Sequence, residues 1–305
     1  MYHDSIMTTP DSALVNVGVP LPERARWYCE QLEHGKILFF AGIPFDFPQD
    51  DRDFLLSQKQ TGSRFHKNIS YRPTRDLLKG ESSDSPDRER LHRIMRHFSQ
   101  EATGFVSKLL APYAGKMKLD FASFRPLEEE GRDLPLHKRN DLLHVDAFPT
   151  RPTRGGRILR FFVNINPKEG RVWNIGEPFD VLMPKLVQKH KISPPHRGAV
   201  VRGLARAANK VGLPVADRTH YDEYMLHLHD WLKENSDFQA NSPKQQMVFP
   251  PGCTWMVYTD GVPHAVLSGR YAVEQTFIVP TEALVSAEVA PIRVLEKVTG
   301  AAMAG

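Results

Sequence analysis

The sequence predicts a mainly β chain with flanking helices: a double-stranded β-helix (jelly roll) core with N-terminal helices and a helical insertion. Three observations lead there. From residue 118 onward, short β-branched and aromatic runs are punctuated by Gly and Pro: KLDFASFRP, DLLHVDAF, RILRFFVNINP, CTWMVYTD, PHAVL and RYAVEQTFIVP. Such runs suit an antiparallel barrel or jelly roll. Before them the texture is helical. Between the third and fourth lies a stretch, roughly 181 to 246, that reads as helices (LMPKLVQKH, RGLARAANKVG, YDEYMLHLHDWLKEN).

In chain order, Pro22-Glu23 and RARWYCEQLEH read as a helix with proline in its first turn and Gly35 just past its end. KILFFAG follows as a strand, and residues 73 to 90 are polar. Leu91, Ile94, Met95, Phe98, Phe105, Leu109 and Leu110 then recur at helical spacing, the pattern of a core-packing helix. We read one domain over 1–305: a mainly helical part (1–117), a jelly-roll core (118–180 and 247–285) and the insertion (181–246). The insertion is expected to be either a wall or lid over the substrate or ordinary packing.

Of the 305 residues 41% are hydrophobic and 25% charged, so a normal core is possible and wholesale disorder is not expected. Cys29 and Cys253 cannot form a zinc cluster alone and read as buried free thiols. The first residues show neither a basic n-region nor an apolar h-region, and the most apolar stretch, 37–45, is broken by Gly42 and Pro44. A soluble, cytoplasmic protein is expected, one still able to touch a membrane surface.

His144 and Asp146 lie two apart in an extended segment, so both side chains leave one face of a strand. With a distant histidine they make a two-His, one-carboxylate set. That set leaves positions open for a bidentate cosubstrate and O2, as non-haem Fe(II) oxygenases require. His264, in a β segment, is the better third ligand. His220, His227 and His229 lie in the helical insertion, where His227 and His229 would point to different faces. HVDAFPTRPTRGGRILRFFVNINP, VYTDGVPHAV and SGRYAVEQTFIV resemble, in order and spacing, three segments of the prolyl-hydroxylase-like oxygenases.

The 2-oxoglutarate of such a site needs a cation for its far carboxylate, for which Arg offers a bidentate fork. Arg270 follows His264 by six residues. A three-residue hairpin loop, Leu267-Ser268-Gly269, would pair Val266 with Arg270 and place it on the face of His264; a two-residue turn would not. The alternative is a surface arginine at a strand edge. Along RILRFFVNINP, alternation separates Leu159, Phe161, Val163 and Ile165 from Arg160, Phe162, Asn164 and Asn166. The resemblance implies that the second face looks into the site, so Asn164 and Arg160 are candidate cosubstrate contacts. No catalytic residue beyond the metal centre is expected.

Lys138, Arg139, Arg151, Arg154, Arg157 and Arg160, against Asp141 and Asp146, give six cations less two acids, a local +4 in a chain of formal charge +4. Such a rim would concentrate an anionic substrate, with Arg154, Arg157, Lys138 and Arg139 as candidate contacts. LLHVDAFPTRPTRGGRILRFFVNINP, RVWNIGEPF and LEHGKILFFAGIPF together resemble the bacterial Kdo hydroxylases over most of the chain. The resemblance implies Fe(II), 2-oxoglutarate and O2, and hydroxylation at C3 of the outer Kdo sugar of Kdo-lipid A to give Ko. Succinate and CO2 are the implied co-products. It also implies an anionic glycolipid partner reached by peripheral contact with the inner membrane surface. Three alternatives remain: the same chemistry on a protein side chain or small acid, a basic β module binding anionic lipid or nucleic acid, and a jelly-roll metal isomerase that needs no Arg270. Nucleic acid is not expected, because no RNA-binding aromatic signature or base-reading basic helix is present.

Overall fold

The computed structural model of the chain describes residues 7–8, 21–58, 68–80, 86–190, 192 and 216–303. In chain order the strands are β1 (Met7–Thr8), β2 (Ile37–Phe40), β3 (Ile69–Arg72), β4 (Leu77–Lys79), β5 (Lys118–Arg125), β6 (Arg157–Asn164), β7 (Arg171–Gly176), β8 (Lys244–Phe249), β9 (Thr254–Tyr258), β10 (His264–Ser268) and β11 (Ala272–Val279). The helices are α1 (Leu21–Glu33), α2 (Gln49–Ser57), α3 (Arg88–Leu109), α4 (Phe179–His190), α5 (His220–Glu234), α6 (Ser236–Asn241) and α7 (Pro291–Thr299).

Two sheets face each other. The larger has the order β1-β2-β9-β6-β11-β5-β3-β4, the smaller β10-β7-β8. Both are antiparallel apart from the parallel β1–β2 pair. This is the expected jelly-roll core with flanking helices. Strands β1, β3, β4, β7 and β8 were not among the sequence-predicted runs. The first three sit in the part expected to be mainly helical, so the N-terminal part also extends the larger sheet. The helix expected over RGLARAANKVG lies outside the described residues.

β6 shows how strand parity builds the layers. Leu159, Phe161, Val163 and Ile165 enter a core shared with Tyr28, Leu32, Phe98 and Val106 from α1 and α3. α3 reaches it because Leu91, Ile94, Met95, Phe98, Ala102 and Val106 recur every three or four residues and are buried. Each of these side chains other than Ala102 contributes about 1.5–3 kcal/mol. On the opposite face of β6, Phe162 joins Trp173, Trp255, Phe249 and Val266 between the sheets. A third cluster holds the insertion: Tyr221, Tyr224, Leu228 and Leu232 of α5 pack with Leu143, Val145 and α7. The insertion therefore reaches the segment that precedes β6.

Candidate active site

Residues 142–146 run as an extra edge of the smaller sheet. His144 and His264 exchange both backbone hydrogen bonds, at 3.1 and 2.9 Å, as a directly opposed antiparallel pair. Their rings lie side by side, centroids 4.7 Å apart. Asp146, two residues on, leaves the same face and is fixed by its N–H to Thr259 O at 2.8 Å. One ligand atom from each of His144, Asp146 and His264 falls within 4.8 Å of the others. The outer edge of this segment is covered by the insertion. The Gln239 amide exchanges hydrogen bonds with the Leu143 backbone at 2.9 Å, and His229 Nδ1 donates to Val145 O at 2.8 Å.

The donor set fits a metal. His144 Nδ1 donates to Leu142 O at 2.7 Å and His264 Nδ1 to Val262 O at 3.0 Å. A carbonyl can only accept, so each Nδ1 carries the hydrogen and each Nε2 offers its lone pair. Burial, together with the neighbouring His264, pushes His144 well below the usual imidazole range; burial also lowers His264, although Asp146 opposes it. Burial alone would raise the Asp146 carboxyl. Arg160, His264 and His144 outweigh it and hold the group well below the carboxylate range. Two neutral imidazoles and an ionised carboxylate result, the protonation state a divalent cation needs. His144 Nε2 and Asp146 Oδ1 stand 3.8 Å apart, too far to bond each other. Asp146 Oδ2 is buried without a well-aligned hydrogen bond.

A cavity of about 40 Å³ opens beside the three residues, lined by Arg125, Arg160, Arg171, Phe162, Trp173 and Val266 among others. Parity and register bring them there. Val266 is opposite Trp173 and His264 opposite Ile175, so Arg171, Trp173 and Ile175 share the face of His264. Trp173 stacks on the His264 ring at 5.3 Å and 24°. Glu274 on β11 bridges Arg125 (2.8 Å) and Arg160 (2.7 Å), and Arg160 Nε approaches Asp146 Oδ2 at 2.8 Å.

Arg171 is the least compensated cation of the cavity. It is 1% exposed and donates to Gly269 O at 2.8 Å, but its carboxylate neighbour Glu129 is 3.5 Å away and its Nε has no partner. Burial pulls its guanidinium down to about 10 against the opposing pull of Glu129. A buried charge in that state calls for an anion.

The other candidates lie elsewhere. Arg270 is 47% exposed, 3.5 Å from Glu169, outside the cavity. The hairpin register expected for it does not form, because β10 pairs with β7 and β11 pairs with β5 and β6, in different sheets. Asn164 has the expected parity, but its amide nitrogen donates to the carbonyls of Glu169, Phe249 and Pro250 and so clamps a loop. Arg157 is buried against Asp260 at 2.9 Å, and exposed Arg154 reaches Asp217 at 3.0 Å. Arg139 pairs with Asp141 and lines a surface groove of about 450 Å³ with Glu129, Arg132 and Leu267. Lys138 sits in the exposed turn Leu136–Lys138. Arg160 is brought to the triad. Arg125, Arg171, Trp173 and Glu274 had no place in the sequence reading; the alternation of Arg171, Trp173 and Ile175 along RVWNIG was the signal for two of them.

A jelly roll carrying a two-histidine, one-carboxylate face beneath buried arginines defines a non-haem Fe(II), 2-oxoglutarate-dependent dioxygenase. The family model for 3-deoxy-D-manno-oct-2-ulosonic acid (Kdo) hydroxylase matches residues 18–302. The chain belongs to that family. It is similar to the Kdo hydroxylase KdoO, a non-haem Fe(II) α-ketoglutarate-dependent dioxygenase, in complex with cobalt(II): 36% identity, 98% of this chain and 97% of that one, TM-score 0.84. KdoO in complex with α-ketoglutarate and Fe(III) gives 35% identity, the same coverage and a TM-score of 0.83. No curated protein matches the chain by sequence.

Proposed function

We propose that the chain hydroxylates C3 of the outer Kdo sugar of Kdo-lipid A to give Ko, with succinate and CO2 as co-products. His144, Asp146 and His264 hold Fe(II). Arg171, with Arg125 nearby, takes the far carboxylate of 2-oxoglutarate, the role expected of Arg270. The observation that carries this reading is the under-compensated Arg171 guanidinium in the same cavity as the triad. When bound, the iron supplies the activation of O2 that consumes 2-oxoglutarate. The chain's own residues do the rest. The histidine Nε2 atoms and the Asp146 carboxylate fix the ion, Arg160 steadies that carboxylate, and Phe162, Trp173 and Val266 keep water from the cavity.

The lipid-anchored substrate implies peripheral contact with the inner membrane surface; no described helix is long and apolar enough to cross a membrane. Incubation with Fe(II), 2-oxoglutarate, O2 and Kdo-lipid A tests the reading. A gain of one oxygen on the Kdo portion with stoichiometric succinate is expected. Succinate without an oxygenated Kdo product rejects the substrate while keeping the oxygenase chemistry.

A further inference from the structure

The turn between β9 and β10, residues 259–263, supports two of the three proposed metal ligands at once. Thr259 O accepts from Asp146 N at 2.8 Å. Val262 O accepts from His264 Nδ1 at 3.0 Å. The same turn is tied to neighbouring elements, with Thr259 N donating to Ile158 O at 3.0 Å, Phe179 N to Gly261 O at 2.9 Å, and Gly176 N to Pro263 O at 2.7 Å. A shift of this turn would move Asp146 and His264 together.

At its centre is an ion pair sealed from water. Arg157 and Asp260 are each 1% exposed, and Arg157 Nε donates to Asp260 Oδ2 at 2.9 Å. The guanidinium lies 4.1 Å over the Tyr258 ring. Its Nη2 fills the space beside Gly261, where a Cβ would come within 2.2 Å. The pair is imperfectly served: Arg157 Nη1, Asp260 Oδ1 and the Tyr258 hydroxyl have no hydrogen-bond partner. Apolar residues of similar volume often replace such a pair without loss of stability, so stability is a poor reason for two charges here. Their placement under a ligand-bearing turn is a better one.

We infer that Arg157 and Asp260 are positioning residues for the metal centre, holding the 259–263 turn so that Asp146 and His264 converge with His144. Neither residue touches substrate or metal; they act through Thr259 and Val262. The inference rests on the ligand triad proposed above.

Co(II) titration followed by its visible spectrum, with thermal unfolding of the apoprotein alongside, tests it in two variants. Asp260→Asn keeps the volume and a hydrogen-bond acceptor for Arg157. The double variant Arg157→Met, Asp260→Leu removes both charges and leaves none unpaired. Both are expected to bind Co(II) about 10- to 100-fold more weakly with an altered band pattern, while the double variant's apoprotein melts close to the wild type. Wild-type Co(II) affinity and spectrum in either folded variant overturns the inference. Loss of the fold in both overturns it too, in favour of a purely structural pair. Failure of the wild-type protein to bind Co(II) would instead sink the ligand triad itself.

Discussion

Two loops leave the smaller sheet at opposite ends of β10, and they treat charge in opposite ways. The entering turn, 259–263, buries Asp260 against Arg157 and spends its carbonyls on the backbone of Asp146 and the ring of His264. The leaving loop, between β10 and β11, turns its own charge outward: Arg270 is 47% exposed and stands 3.5 Å from Glu169. Its contribution is backbone, the Gly269 carbonyl that accepts from buried Arg171. A charge on a loop becomes part of a site when packed elements close over it. Position in the sequence near a ligand is not enough.

The largest effect that would break this contrast concerns the ligands. His144→Ala or His264→Ala should abolish the absorbance band of the anaerobic Fe(II)–2-oxoglutarate complex and bring turnover to background. Retention of the wild-type band by His264→Ala would remove the residue that the entering turn is built to aim.

Next come the two arginines. Arg171→Met should raise the KM for 2-oxoglutarate by about 30-fold or more, since losing one partner of a buried charge pair costs about 2–5 kcal/mol. Arg270→Ala, on an exposed pair, should change it by about twofold or less. Steady-state kinetics with varied 2-oxoglutarate decides, and the reverse order would restore Arg270 to the site.

Lys233 sharpens the contrast from a third direction. It is 4% exposed, yet its ammonium donates at 3.0 Å to the His137 carbonyl and to no carboxylate among the described residues. Burial pulls it down to about 8, although Asp146, Asp230 and Asp141 pull the other way. The unfolded chain keeps this proton to about pH 10.4. Between about pH 8 and 10.4 the unfolded state therefore holds more protons, and stability should rise with pH by about 2–3 kcal/mol from this group. Burial pushes the Cys29 and Cys253 thiols up to about 12, which makes stability fall with pH over part of that range, so the readout is a difference: in urea unfolding the stability gap between wild type and Lys233→Met should move in the wild type's favour from about pH 8 to 10.4.

The smallest effect belongs to Gly269, whose φ of +114° and closeness to Arg171, Cα at 2.9 Å from an added Cβ, leave no room for a side chain. Gly269→Ala should cost about 1–3 kcal/mol, read as a lower urea midpoint, and loosen 2-oxoglutarate binding through Arg171. An unchanged KM with lowered stability would show that the loop's backbone does not steady that arginine.

Much of the site was legible because strand geometry is local. Residues 144 and 146 had to share a face, and Arg160 and Phe162 had to oppose Leu159 and Phe161, as the cavity and core bear out. The β segment around His264 separated it from the helical histidines. His229 nevertheless came close, its ring 5.1 Å from that of His144, because the insertion packs along the outer edge of the ligand segment. Loop register was not legible. The sequence around Ser268-Gly269 suits a hairpin, and nothing local says that the chain changes sheets there.

The local charge count failed for a related reason. Between Lys138 and Arg160 the sequence shows six cations and two acids, an apparent rim. In the folded chain Arg151 meets Asp120, Arg154 meets Asp217, Arg157 meets Asp260 and Arg160 meets Glu274. Every one of those acids comes from another part of the sequence.

By itself the sequence determined the jelly-roll class, the two faces of β6 and the shared face of His144 and Asp146 in the proposed metal triad, because side-chain alternation depends only on neighbours two residues away. Tertiary structure alone decided which arginines are buried, which carboxylates answer them and which loop supports the proposed ligands, because those depend on contacts between residues 31 to 149 positions apart. Arg171 and Glu274 enter the cavity by strand pairing, and Arg270 is left outside it by the same pairing.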